Sequence, residues 1–146
     1  MPIKTFRGKL DDEAQERIRL ETLDGKKGYR IKKFQLMPID PMSNNQESVV
    51  KIYSIQQTAV DGLINFSDIT LLASGYIESD SSGATPTFSE AAIVFDRVTF
   101  NQDIFITHKE QGTDACNYYL ELEQISLDDV EATAVILKNF RNTNTV

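Results

Sequence analysis

Apolar and polar residues alternate along most of this chain. Residues 17–20 read Arg-Ile-Arg-Leu, and residues 118–123 read Tyr-Tyr-Leu-Glu-Leu-Glu. A period of two is the pattern of a β-strand with one buried face. This pattern, or a composition rich in β-branched residues, predicts strands over residues 3–10, 15–23, 28–37, 49–56, 69–77, 92–100, 103–108, 117–127 and 130–140.

Two of these segments also fit a helix. Residues 15–23 continue a helical pattern that begins at Leu10 and Ala14, but the Leu-Asp-Gly sequence at 23–25 is a hairpin turn signal and favours the strand. Residues 130–140 are rich in valine, threonine and isoleucine, which favours a strand over the competing helix. We therefore predict strands in both segments.

The segment at 28–37 carries a further signal. Its alternation shifts phase at Lys32 and Lys33, and a phase shift within a strand indicates a β-bulge. Exposed loops are expected at 78–90, which is rich in serine, threonine, glycine and proline, and at 109–116.

The spacing of the predicted strands indicates the fold class. Short strands recur about every 8–12 residues, with turn signals between them, which predicts an all-β fold, an antiparallel β-sandwich or jelly-roll. The length of 146 residues is that of a single domain, residues 1–146. Residues 1–10 place Ile3, Phe6 and Leu10 on a basic segment. This segment forms either the first strand of its own sheet or an extended N-terminal arm that joins a neighbour's sheet by strand addition.

Composition narrows the class of protein. The single cysteine, Cys116, excludes an intrachain disulfide. The first residues lack the apolar core of a signal peptide, and no apolar run approaches the roughly 20 residues of a membrane span. We expect a soluble protein made in a cytoplasm, with no membrane partner.

Charge is unevenly distributed along the chain. Residues 1–33 carry ten basic and six acidic side chains (+4), and the other residues carry five basic and sixteen acidic (−11), which together give the net charge of −7. Oppositely charged surfaces on one molecule favour self-association or binding to a charged partner. The acidic remainder opposes nucleic-acid binding, so we expect an acidic protein surface as the partner. The predicted partner-binding residues are Lys4, Arg7, Lys9, Arg17, Arg19, Arg30, Lys32 and Lys33, of which Arg17, Arg19, Arg30 and Lys32 are expected to line one sheet surface.

Residue types that carry catalysis are scarce. His108 is the single histidine, and as a general base it would need a nucleophile and an orienting carboxylate close by in space. Cys116 lies among acidic residues, and we interpret it as a buried structural thiol. The acidic pair at 128–129 lacks the spacing of a calcium loop. Glu121 and Glu123 lack an aromatic sugar platform, since the chain has no tryptophan. We predict no catalytic residues, no metal and no cofactor.

Three runs of the chain are similar to small β-rich virion proteins of marine tailed bacteriophages. They are Gly-Tyr-Arg-Ile-Lys-Lys-Phe-Gln-Leu-Met-Pro at 28–38, Phe-Asp-Arg-Val-Thr-Phe-Asn-Gln-Asp-Ile-Phe-Ile-Thr-His-Lys at 95–109 and Asn-Tyr-Tyr-Leu-Glu-Leu-Glu-Gln-Ile-Ser-Leu at 117–127. The resemblance implies a non-enzymatic virion protein, present in many copies and assembled in the host cytoplasm. The expected function is that of a capsid decoration or cement protein that bridges shell subunits. Its expected partners are the major capsid protein, other virion proteins and further copies of itself.

Two other functions stay open. The first is a carbohydrate- or receptor-binding module on a tail or fibre, which would use the loops at 78–90 and 109–116. A sugar-binding loop needs exposed aromatic residues, and Phe88 is the one aromatic residue at 78–90. The second is a small metal-assisted enzyme, which the scarcity of histidine and cysteine disfavours.

Overall fold

The computed structural model describes residues 2–42, 45–80, 87–88 and 92–144. Within these residues the chain forms β1 (Ile3–Leu10), β2 (Gln15–Ile18), β3 (Lys27–Pro38), β4 (Gln46–Tyr53), β5 (Leu71–Asp80), β6 (Thr87–Phe88), β7 (Ala92–Phe95), β8 (Ile104–Glu110), β9 (Cys116–Ser126) and a helix, α1 (Asp129–Asn144). Most of the predicted loop at 78–90 and both chain ends lie outside the described residues.

The strands form two antiparallel sheets. The three-stranded sheet has the order β1-β9-β3. The six-stranded sheet has the order β2-β8-β4-β5-β6, and β7 also pairs with β5. Residues of both sheets share one hydrophobic core, so the predicted all-β antiparallel sandwich is confirmed. The jelly-roll connectivity stays a prediction.

The alternation in β9 decides which side of the three-stranded sheet lies inside. Tyr118, Leu120 and Leu122 are buried, and the residues between them are partly exposed. Leu120 and Leu122 belong to the same core as Val50 on β4 and Ile106 on β8. Because complete burial of such a side chain stabilises the fold by roughly 1.5–3 kcal/mol, the period of two fixes the inner face of the sheet.

The predicted β-bulge in β3 is confirmed. The register of β3 against β9 shifts between Ile31 and Lys33. Before the bulge Ile31 is buried, and after it Phe34 and Leu36 are buried. The extra residue therefore keeps apolar side chains on the inner face while the sequence changes phase.

The strand predicted over residues 15–23 is shorter than expected. β2 ends at Ile18, and the amides of Leu20 and Glu21 donate hydrogen bonds to Asp103 Oδ1 at 2.7 and 2.9 Å. A carboxylate thus replaces the neighbouring strand as the acceptor for this backbone. A side-chain acceptor more than eighty positions away leaves no local signal in the sequence.

The strand predicted over residues 130–140 is wrong, because these residues belong to helix α1. Asp128 Oδ1 accepts a hydrogen bond from the Glu131 amide at 2.8 Å, which is an N-cap, and the Ala132 amide donates to the Asp128 carbonyl. Leu127 and Ala132 are buried beside this first turn. Capping and one-sided packing therefore outweigh the β-propensity of the valines and threonines.

The N-terminal segment is a strand of its own sheet. β1 pairs with β9 from Ile3 opposite Glu123 to Leu10 opposite Cys116 without a register shift. It is the edge strand of the three-stranded sheet. Residues 3–10 are therefore paired within their own chain and do not form an extended arm.

Candidate functional site on the three-stranded sheet

The solvent-facing side of the three-stranded sheet carries charge in stripes. Residues that lie directly opposite each other in a sheet share a face. Arg7 on β1 lies opposite Tyr119 on β9, and Lys33 on β3 lies opposite Glu121. An acidic central strand therefore lies between two basic strands. We call this surface the striped face, and it consists of Arg7, Lys9, Arg30, Lys33, Asn117, Tyr119, Glu121 and Glu123.

The acidic side chains of the striped face have partners within the sheet. Arg30 Nε lies 4.0 Å from Glu123 Oε2. The Tyr119 hydroxyl donates a hydrogen bond to Glu121 Oε2 at 2.7 Å, and this bond to a carboxylate raises the pKa of Tyr119. The carboxylates of β9 thus offset part of the basic charge of β3. Arg7 and Lys33 are exposed, and they give the face its cationic margins.

The structure divides the eight predicted partner-binding residues between two sheets. Lys4, Arg7 and Lys9 lie on β1, and Arg30, Lys32 and Lys33 lie on β3, whereas Arg17 lies on β2 and Arg19 follows it. The prediction that Arg17, Arg19, Arg30 and Lys32 line one sheet surface is wrong. The reason is that β2 pairs with β8 and β3 pairs with β9, so these two strands join different sheets although they follow each other in sequence.

Arg17 also has a role within the fold. Its Nε donates to Asp103 Oδ2 at 2.7 Å, and its guanidinium carbon lies 5.7 Å from the centre of the Phe105 ring. Burial of the Asp103 carboxyl acts to raise its pKa, but hydrogen bonds from the Glu21 and Leu20 amides and from Arg17 outweigh this effect, so the pKa is lowered. Arg17 is therefore bound to an internal carboxylate before any partner arrives.

The two residues first considered for catalysis are buried. His108 is fully buried, with Nδ1 3.0 Å from the Asp11 carbonyl and Nε2 3.0 Å from Ser48 Oγ. Since a carbonyl can only accept, Nδ1 carries a hydrogen and donates it. Cys116 is also fully buried, and burial raises the pKa of its thiol to about 12. His108 thus joins β8 to β4 and to the turn after β1, and Cys116 lies where a thiolate is disfavoured.

Lys51 is a buried cation that the sequence analysis missed. Its side chain is 2% exposed, and Nζ donates to Asp61 Oδ1 at 2.8 Å and to the Leu63 carbonyl at 2.5 Å. Burial acts to lower the pKa of Lys51, but its bonds to Asp61 and Tyr53 outweigh burial and raise it. The charged lysine thus fixes the loop that begins at Asp61. The period of two places Lys51 on the face of β4 opposite the core residues Val50 and Ile52, so the sequence indicated an exposed lysine, and it is the loop that buries this side chain.

A cavity that the sequence pattern does not predict lies beside this loop. Its volume is about 460 Å³, and its lining includes Phe66, Ile69 and Val94, which are 71%, 55% and 50% exposed. The hydroxyl oxygen of Ser54 is shielded from solvent in this lining and has no hydrogen-bond partner. Asp68 and Asp96 contribute to the lining. Exposed large apolar side chains around an unpaired polar atom are typical of a ligand- or protein-binding site.

The described part of the chain contains neither a cluster of metal ligands nor a helix that could span a membrane. There, no three histidine, cysteine, aspartate or glutamate side chains lie close enough together to hold a metal ion. In the same residues, no helix is long and apolar enough to cross a membrane.

No protein-family model matches the chain, and no curated protein matches it at a significant level.

Proposed function

We propose that this chain is a non-enzymatic structural protein of a bacteriophage virion, a decoration or cement protein that binds neighbouring shell subunits through its three-stranded sheet. The observation that carries the proposal is the striped face, an open sheet surface with exposed cations on both outer strands. Six of the eight predicted partner-binding residues lie on the strands of this sheet. The proposed location in a virion is supported by the resemblance of residues 28–38, 95–109 and 117–127 to phage virion proteins.

The chemistry of the striped face supports a charged protein partner. A uniformly basic surface suits phosphate backbones, whereas Glu121 and Glu123 run through the centre of this one and would repel them. An acidic partner surface with basic groups at its centre would match the three stripes. Charge complementarity of this kind selects the partner and its register more than it adds affinity.

Purified virus particles provide the test. We expect mass spectrometry to find the chain in particles at a fixed ratio to the major shell protein, and its absence from particles would reject the proposal. The double variant Arg7→Glu/Lys33→Glu should leave the particles at physiological salt. The matched control is Arg19→Glu/Arg97→Glu, which makes the same change in net charge at exposed positions outside this sheet. Equal retention of both variants would exclude the striped face as the binding surface.

A second candidate function is a receptor- or carbohydrate-binding module on a tail or fibre. The observation that favours it is the cavity at Phe66, which offers an exposed aromatic ring beside the unpaired Ser54 hydroxyl. Such a module would be found on the tail by immunogold electron microscopy. The substitution Phe66→Ala would then abolish attachment to host cells and leave the amount of the chain per particle unchanged.

A further inference from the structure

Among the residues that the structure describes, no strand pairs with the outer edge of β1, so this edge presents backbone groups that the sheet does not use. In an antiparallel ladder the N–H and C=O of one residue point to the same side, and the side alternates along the strand. The Gln124 amide donates to the Pro2 carbonyl at 2.8 Å, and the register then continues without a shift. The even-numbered residues of β1 therefore bond to β9. The N–H and C=O groups of Ile3, Thr5, Arg7 and Lys9 point away from the sheet.

The side chains along this edge determine what can pair with it. Lys4, Arg7 and Lys9 are exposed, and β1 contains no acidic residue. Pairing of β1 along its length with β1 of a second copy would bring the three cations of each copy close together. Like charges that face each other across strands are destabilising, so the edge disfavours a second copy of this chain as its occupant.

The two faces of β1 differ, and this adds a second requirement on the occupant. Arg7 and Lys9 project from the striped face, while Phe6 lies on the other face, where it packs against the hydrophobic core. A strand added to the edge would continue both faces. Its residues opposite Arg7 and Lys9 would then meet cations, and its residue opposite Phe6 would meet the rim of the core.

We infer that the free edge of β1 is a site for strand addition, and that its occupant is an extended acidic segment of a partner protein in which carboxylates alternate with apolar residues. Main-chain hydrogen bonds would supply the affinity, and Arg7, Lys9 and Phe6 would select the sequence. The inference rests on the proposed function, because it names the class of partner segment that binds beside the striped face. The cations of β1 then have two roles. They attract the acidic segment, and they disfavour pairing of this edge with a second copy of the chain.

A synthetic peptide of four Glu-Val repeats, labelled with a fluorophore, is a suitable probe of the full chain. We expect saturable binding by fluorescence anisotropy, which weakens as salt rises from about 0.05 to about 0.5 M. A Lys-Val peptide of equal length should not bind. Nuclear magnetic resonance adds a readout specific to strand addition. The amides of Thr5, Arg7 and Lys9 should gain protection from hydrogen exchange with the Glu-Val peptide, while those of Lys4 and Phe6 should not change.

Two matched variants test the backbone contribution. Thr5→Pro removes an N–H that points away from β9, so it leaves the hydrogen bonds of the sheet in place but should weaken peptide binding by about tenfold or more. Thr5→Val keeps the N–H and should bind like the original chain. Circular dichroism and urea unfolding of both variants verify that each is folded.

Several results would overturn the inference. The first is the absence of saturable binding up to about 1 mM peptide, a concentration high enough to detect even weak specific binding. The second is equal peptide binding by the two Thr5 variants. The third is protection from hydrogen exchange at amides away from β1. If the peptide fails while the chain is present on particles, the edge site is wrong and the proposed function stands. If the peptide binds while the chain is absent from particles, the proposed function is wrong and the edge site stands.

Discussion

The carboxylate of Asp103 joins the beginning of β8 to the segment that follows β2, and replacing it should be one of the more costly polar substitutions in this chain. Its Oδ1 accepts hydrogen bonds from the amides of Leu20 and Glu21, and its Oδ2 accepts one from Arg17 Nε. The substitution Asp103→Asn keeps the size of the side chain and one carbonyl oxygen. It removes the charge and places an NH₂ group against one of the donors.

The magnitude follows from what each bond loses. A hydrogen bond to a charged group contributes about 1.5–3 kcal/mol and a neutral one about 0.5–1.5 kcal/mol, so each of the two backbone bonds weakens by about 1 kcal/mol. The Arg17 side chain is 50% exposed, and its ion pair is therefore screened and adds at most about 1 kcal/mol. Asp103→Asn should lower the free energy of unfolding by about 2–3 kcal/mol. Arg17→Met should lower it by about 1 kcal/mol or less.

The pH dependence gives an independent readout of the same group. The pKa of Asp103 is lowered in the folded chain, from an ordinary value of 3.8. Its stabilisation is therefore complete above the unfolded-state pKa, and it is lost as the pH falls from the ordinary value through the lowered folded-state pKa. The original chain should lose stability more steeply than Asp103→Asn as the pH falls below about 4.

Urea unfolding followed by circular dichroism, at pH 7 and at a series of acidic pH values, measures both effects. Both substitutions alter the contact between Arg17 and Asp103, so the ratio of their losses in the free energy of unfolding is more informative than either loss alone. Equal losses for Arg17→Met and Asp103→Asn would mean that the ion pair carries the stabilisation and not the backbone amides. Parallel pH profiles for the original chain and Asp103→Asn would show that this carboxylate is not the group responsible.

Three further outcomes are expected. Gly25→Ala should destabilise the chain, because Gly25 has a φ of +66° and a Cβ there would lie 3.1 Å from Asn101 Nδ2. Thermal unfolding should show a loss of about 1 kcal/mol or more in the free energy of unfolding. The control is Gly62→Ala, whose Cβ would lie at an ordinary 3.7 Å from its nearest atom. Cys116 should resist alkylation by iodoacetamide at pH 8 in the folded chain and react in urea, since burial raises its pKa to about 12; rapid labelling without urea would contradict its burial. Asp128→Ala should reduce the helical signal at 222 nm without loss of the strand signal, because it removes the N-cap of α1; an unchanged spectrum would show that packing alone holds the helix.

The faces of individual strands could be predicted because a strand's alternation is a local property. In β9 the residues at 118, 120 and 122 had to share one side, whatever the strand paired with. The bulge in β3 was visible for the same reason, since the shift at Lys32 and Lys33 lies within one strand. The basic character of residues 1–33 was also visible in the sequence, but the sheet that each of these residues joins was not.

The composition of residues 130–140 could not decide between a strand and a helix. Residues 130–140 have the composition of a strand, yet they form a helix, because Asp128 caps it and Ala132 is buried. Propensity differences amount to a few tenths of a kcal/mol per residue, and one cap with one packed face is enough to reverse them. Neither contribution is visible in the composition of the segment.

The alternation of apolar and polar residues was enough to predict a β-sandwich, and the charge count was enough to show that residues 1–33 are basic. Which of these basic residues lie together depends on strand pairing, because backbone hydrogen bonds are the same for every strand and do not select its neighbour. Non-local packing sent β2 to one sheet and β3 to the other, which separated Arg17 from Arg30. The same packing left the edge of β1 open and brought Asp103 to the backbone after β2, two features that depend on residues distant in sequence.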